Sequence, residues 1–236
     1  MNVNTRKNIS TSLISFLISI FMTLWFTPFI INSLGVEAYG YTNLIQNMIN
    51  VTTVVTLAIT SMSSRYISIE LQRNQFDEAS RYFNSILFTL LILSGFLLFL
   101  FTLILINLDE VINVSDKFIN DVKLLFFISF LQFLIGVITT PFLGGVYFQN
   151  KLRIIYNFNI INYCFKFLLS IAIFNYFRPI LWIPNIAILF VSIISFIFYL
   201  NSYKKMMPGV SINLSKYNIS YAIKVIKSGF WISISK

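Results

Sequence analysis

The sequence predicts an all-α membrane protein, a bundle of six transmembrane helices followed by the opening of a seventh. Three observations carry that reading. Of the 236 residues, 57% are hydrophobic and only 11% are charged, whereas a soluble domain carries roughly 25% charged residues. The mean hydropathy is +0.81. The charges are unevenly placed, leaving charge-free stretches at 8–36, 38–64, 82–108, 124–150 and 179–203, and a sixth at 154–177 broken only by Lys166. Each is longer than the about 20 apolar residues that cross a bilayer core of roughly 30 Å.

Taken in order, the spans are placed at about 9–32, 41–63, 83–106, 124–148, 154–177 and 181–202. The apolar stretch of the first is about twice the usual h-region of a signal peptide, and no small-x-small cleavage site follows it, so it reads as a retained helix. With the N-terminus on the cytoplasmic side, twelve basic residues (Arg6, Lys7, Arg65, Arg73, Arg81, Lys151, Arg153, Lys204, Lys205, Lys216, Lys224, Lys227) fall inside. Three (Lys117, Lys123, Arg178) fall outside, and Lys166 and Lys236 lie in hydrophobic stretches. The positive-inside bias therefore sets the orientation. It also absorbs the sequence pI of about 9.7, so nucleic acid is not needed to explain the basic surplus.

The connections are short: 33–40, 107–123 and 178–180 outside, 64–82 and 149–153 inside. Segment 64–82 reads as a surface helix, because Arg73–Asp77 and Asp77–Arg81 are spaced i,i+4 and Glu70–Arg73 i,i+3. The chain organises as a six-helix lobe over 1–202, a cytoplasmic linker over 203–227, and the start of a truncated seventh helix over 228–236.

Composition removes several chemistries. Histidine is absent, which excludes a His base or His metal site. Cys164 is the single cysteine, so there is no internal disulfide and no metal cluster of thiolates. No Asp or Glu falls in a span: Glu37, Asp109, Glu110, Asp116 and Asp121 lie outside, and Glu70, Asp77 and Glu78 inside. No cofactor is implied.

Polar residues within spans mark the inward faces. Ser12, Ser15, Ser19, Thr23 and Thr27 form one stripe of the first helix, which fits helix packing as well as it fits a lining role. The second span is the most polar, with Asn43, Gln46, Asn47, Asn50, Thr53, Thr56 and Thr60 at the same period. Carboxamides cost more in hydrocarbon than hydroxyls because each has several groups to satisfy, so this face points to a water-filled cavity, with interfacial placement or packing as alternatives. The fifth span places Asn159, Asn162, Tyr163, Lys166 and Ser170 on one face. Lys166 is the sharpest of these. It lies roughly 19 Å along the helix from Arg153, near mid-membrane, where a charge is a functional candidate. The plain alternative is a lysine bent to the interface or bonded to a neighbouring helix. Pro28 and Pro141, each in a Thr-Pro-Phe, read first as tolerated kinks.

Several segments resemble the Wzx-type polysaccharide flippases of the multidrug/oligosaccharidyl-lipid/polysaccharide exporter superfamily. They are Thr27-Pro-Phe-Ile-Ile-Asn-Ser-Leu-Gly-Val-Glu-Ala-Tyr-Gly40, Ser63-Ser-Arg65-Tyr-Ile-Ser followed by the charged run Gln72 to Arg81, Gly144-Gly-Val-Tyr-Phe-Gln-Asn-Lys151, and Ile226-Lys-Ser-Gly-Phe-Trp-Ile232. Leu34-Gly-x-Glu-x-Tyr-Gly40 is the most telling. The resemblance implies the N-terminal lobe of a two-lobed exporter in a bacterial cytoplasmic membrane, completed by a C-terminal lobe. Its implied activity is not enzymatic: it is alternating-access translocation of an oligosaccharide on an undecaprenyl-diphosphate type of lipid, for O-antigen or capsule. A polysaccharide polymerase is a further partner that it allows. Arg65 matches a basic position at the inner end of the second helix, and Lys166 fits the expected cationic interior by location. The substrate-binding candidates are Lys166, Arg65, Asn47, Asn50, Asn162 and Tyr163. Two rival readings are an ion-coupled drug exporter of the same superfamily, and a membrane glycosyltransferase or polysaccharide polymerase using Glu37, Asp109 or Glu110. A third is a remnant without transport activity.

Overall fold

The computed structural model describes residues 3–108, 112 and 114–234. It is 87% helical, and no strand occurs among the described residues. The elements are α1 (Val3–Leu34), α2 (Val36–Gln72), α3 (Phe76–Ile106), α4 (Ile119–Thr139), a 3-10 turn at Thr140–Phe142, α5 (Leu143–Phe148), α6 (Arg153–Tyr176), α7 (Ile183–Met206), a 3-10 turn at Leu214–Lys216, and α8 (Ile219–Ile234). Counting α4 and α5 as one rod, six helices among the described residues are long and apolar enough to cross a membrane. The all-α membrane class read from the sequence holds. Asp109, Glu110 and Lys236 lie outside the described residues.

Helix boundaries follow from local chemistry. The expected outer loop 33–40 is a single-residue break. Gly35, at φ +90, leaves the helical path, while its N–H still bonds the Ile31 carbonyl at 2.8 Å. This is a left-handed helix stop that a side chain would strain. The surface helix expected over 64–82 is instead a continuation of α2, a tight stop, and the start of α3. Asn74 adopts φ 59; Gln75 N–H bonds the Glu70 carbonyl at 2.9 Å and Asn74 N–H the Leu71 carbonyl at 3.1 Å. That pair of bonds is a Schellman stop with Asn in the left-handed position. Asn150, at φ 51, repeats the device after α5, with Lys151 N–H on the Val146 carbonyl and Asn150 N–H on the Tyr147 carbonyl. Of the ion pairs read from spacing, Glu70–Arg73 forms at 3.5 Å and Asp77–Arg81 at 3.0 Å. Asp77 also takes Lys216 at 3.0 Å.

The two prolines behave differently. α1 runs unbroken past Pro28. Pro141 falls in the 3-10 turn that interrupts the α4–α5 rod. Having no N–H, it frees the carbonyl four residues back, and the Thr140 hydroxyl donates to that Val137 carbonyl at 2.8 Å.

The chain forms two compact units. The first comprises Met1–Ile49, Phe99–Phe133 and Arg153–Ile194. There α1 packs along α6. Ile30, Phe174 and Ile183 form a buried cluster, flanked by Phe26, Phe29, Tyr39 and Trp182. Leu13, Leu17 and Leu24 are all more than half exposed on another side of α1. A row of this kind faces lipid rather than water. Glu37 accepts from the Tyr41 hydroxyl at 2.9 Å and the Ser115 hydroxyl at 2.8 Å, which ties the start of α2 to the segment before α4.

The second unit comprises Asn50–Leu98, Leu134–Leu152 and Ser195–Lys236. Phe83 packs edge-on to Phe142 and stacks on Tyr203 at its core. Gly144 and Gly145 admit close neighbours: a Cβ would lie 2.8 Å from Ile67 and 2.7 Å from Met206. The segment between α7 and α8 is stitched to α3 by Asn84. Its amide donates to the Ser211 carbonyl at 2.8 Å, and its oxygen accepts from Asn213 N–H at 2.8 Å. The Ser85 hydroxyl accepts from Asn218 N–H at 3.0 Å.

Candidate functional site

The site lies within the first unit and is built on the polar face of α6. Residues 159, 162, 163, 166 and 170 recur at helical spacing, which brings them onto one side. Ser170 turns back to its own helix, donating to the Lys166 carbonyl at 2.7 Å. Lys166 instead projects into a cavity of about 260 Å³. Its ammonium sits over the Phe26 ring of α1, 4.7 Å from the centroid. Phe167 meets Phe26 edge-on at 6.4 Å and Trp25 at 6.1 Å, which fixes the aromatic floor. An ammonium over a ring face is held by the ring's quadrupole.

The polar lining comes from five helices: Thr23 and Thr27 (α1), Tyr39, Thr42, Asn43 and Gln46 (α2), Gln132 (α4), Tyr163 and Lys166 (α6), and Asn185 (α7). A second cavity of about 230 Å³ adjoins it, sharing Gln132, Tyr163, Lys166 and Ile188 and adding Asn159 and Asn162. The two adjoin around Lys166, and each is smaller than the roughly 300–1,000 Å³ usual for ligand pockets. The side-chain oxygen of Asn162 is buried there with no hydrogen-bond partner. An unmet acceptor of this kind costs about 1–3 kcal/mol, which a water or a ligand hydroxyl would relieve. Among the described residues no carboxylate lines either cavity, so the field they make at Lys166 is neutral to cationic. The space suits hydroxyl-rich and anionic groups better than cations.

The six residues singled out from sequence separate in the structure. Lys166, Tyr163 and Asn162 come together on α6. Asn47 is exposed on α2 and lines neither cavity. Asn50 and Arg65 are exposed and belong to the second unit. The hydroxyl stripe of α1 is partly spent on its own backbone: Ser19 donates to the Phe16 carbonyl and Thr23 to the Ser19 carbonyl. Sequence reasoning missed Gln132 and Asn185. Each is a carboxamide set among apolar residues of its span, which was the available signal. Asn185 is oriented by a 2.6 Å hydrogen bond to the Ser129 hydroxyl of α4. Phe26 was missed because nothing in a phenylalanine-rich helix marks one ring as the seat of an ammonium.

Six apolar helices and a polar space between several of them define a multi-pass α-helical membrane protein. The chain is similar to a curated membrane protein of Bacillus subtilis (strain 168), the uncharacterized membrane protein EpsK, at 28% identity over 229 residues. The match covers 97% of this chain and 45% of that protein, so the chain spans about half the length of the curated relative it matches. No protein-family model matches the sequence, and no solved structure matches it.

Proposed function

We propose that this chain is the N-terminal lobe of a transporter that carries a polyprenyl-diphosphate-linked oligosaccharide across the bacterial cytoplasmic membrane, its N-terminus on the cytoplasmic side. The observation that carries the reading is the pair of adjoining cavities around Lys166, which combine one lysine, carboxamides and hydroxyls with no acid among the described residues. A diphosphate leaving water loses solvation that only nearby cations and donors can replace. Lys166 would meet the phosphate charge. Asn162, Asn185 and Gln132 would hydrogen-bond sugar hydroxyls, and the polyprenyl tail would remain in lipid. The resemblance of the Leu34–Gly40 and Gly144–Lys151 segments to Wzx-type flippases supports the same reading, as does the length of the membrane-protein relative, about twice that of this chain. The rest of the binding site, and Arg65, would act in a two-lobed parent by alternating access. No covalent step is required, and O-antigen or capsule assembly would be the use.

The test is complementation in a host that accumulates undecaprenyl-linked repeat units on the cytoplasmic side. Two proteins are compared: this chain, and the same chain extended by a second lobe. Rescue by the extended protein, lost in its Lys166→Ala form while membrane insertion persists, is the expected result. Failure of both proteins, or full export by the Lys166→Ala form, would overturn the proposal.

A further inference from the structure

A second basic feature lies in the first unit, away from the cavity just described. At the N-terminal ends of α1 and α6, Arg6, Lys7 and Arg153 line a cleft of about 720 Å³ together with Ser10, Thr11 and Asn157. We propose that this cleft binds the phosphate headgroup of an anionic phospholipid, independently of any transported substrate.

Four observations support it. First, the three cations come from two helices and converge on one space, and none of them has a carboxylate partner among the described residues. Second, the two helix starts are tied together: the buried Asn8 side chain accepts the Arg153 N–H at 3.0 Å, joining the first turns of α1 to the start of α6. Third, the Ser10 and Thr11 hydroxyl protons are committed to the Arg6 and Lys7 carbonyls, so the neutral donor the lining offers a phosphate oxygen is the Asn157 carboxamide. Fourth, the apolar face of α1 begins beside the cleft: Ile9, Leu13, Phe16 and Leu17 are 47–63% exposed. A charged cleft opening onto a lipid-facing strip matches a phosphate that carries acyl chains. A free phosphate would make no use of the strip. Basic pockets between membrane helices at the headgroup level are a recurrent way of holding such lipids.

The experiment uses the purified chain in neutral detergent, titrated with phosphatidylglycerol, phosphatidylcholine or inorganic phosphate, with bound lipid counted by native mass spectrometry. The expected result is a retained phosphatidylglycerol adduct, little phosphatidylcholine and no phosphate. Each cation near a headgroup is worth about fivefold in affinity, so Arg6→Gln/Lys7→Gln/Arg153→Gln should weaken the adduct on the order of a hundredfold. Asn157→Trp, which obstructs the cleft and leaves all three charges, should also weaken it, and Lys204→Gln/Lys205→Gln should not. Equal retention of the two phospholipids, or binding of phosphate alone, would overturn the proposal. So would loss in the triple variant but not in the tryptophan variant, which would mean surface charge without a cleft.

Discussion

Replacing Lys166 by methionine should make the protein more stable while abolishing its proposed activity. The side chain lies roughly 19 Å along α6 from Arg153, in a helix apolar enough to span a membrane. A lysine at the centre of such a helix costs about 2.5–3.5 kcal/mol on insertion scales. Against this stands the contact with Phe26 at 4.7 Å, a cation–π attraction of about 0.5–2 kcal/mol. No carboxylate among the described residues lines the cavity to add to the attraction. The difference leaves Lys166→Met more stable by about 0.5–3 kcal/mol, with methionine filling a similar volume. At about 2–4 °C per kcal/mol for a chain of this size, thermal unfolding in detergent should shift upward by a few degrees. The contribution of the ring can be isolated. Phe26→Leu should cost more in the native background than in Lys166→Met, and the coupling in that cycle should be about 0.5–2 kcal/mol. A fall in melting temperature for Lys166→Met would refute the reasoning, because it would mean that the ammonium makes a stabilising contact stronger than the ring. Zero coupling with Phe26 would show that the ring does not hold it.

Four further outcomes follow from the second unit. Asn84→Ala leaves the Ser211 carbonyl and the Asn213 N–H without their partner; it should destabilise by about 2–4 kcal/mol and open the 207–218 segment to limited proteolysis. Thr140→Val should cost about 1–2 kcal/mol by leaving the Val137 carbonyl unmet, and adding Pro141→Ala, which restores an N–H to that carbonyl, should recover much of the loss in thermal denaturation. Gly229→Ala would drive a Cβ onto the Ala58 carbonyl oxygen and should abolish the folded monomer in size-exclusion chromatography. Gly136→Ala, with nothing within 4 Å of the new carbon, should instead stabilise α4 by about 0.5–1 kcal/mol.

The helical membrane class was legible because charge-free runs are a one-dimensional property. A bilayer core accepts few arrangements of backbone, and only a helix satisfies every N–H and carbonyl within one segment. The helix ends were less legible. Segments 33–40 and 64–82 read as connections because charges interrupt the apolar runs there, the second as a separate surface helix, yet each is mostly a continuation of the helices on either side. Gly35 and Asn74 each end a helix by adopting a left-handed conformation at one residue, and polarity does not report that. Of the charged side chains of the second segment, Arg73, Asp77 and Arg81 lie exposed around the helix stop, whereas Glu70 is buried.

For the site, periodicity was enough to group Asn162, Tyr163 and Lys166, since residues three and four apart on one helix share a face whatever surrounds them. It could not find their partners. Gln132, Asn185 and Phe26 join Lys166 from three other helices, and no spacing rule connects positions so far apart in the chain. The same limit applies to Asn84, a helical asparagine whose importance comes from Ser211 and Asn213, far along the sequence. Sequence alone determined which segments can lie in a membrane and which side of each helix is polar, because hydropathy and helical period are local. Tertiary packing alone decided which polar faces share one space, which cation rests on which ring, and which glycine has no room for a side chain, because those depend on where distant helices come to lie.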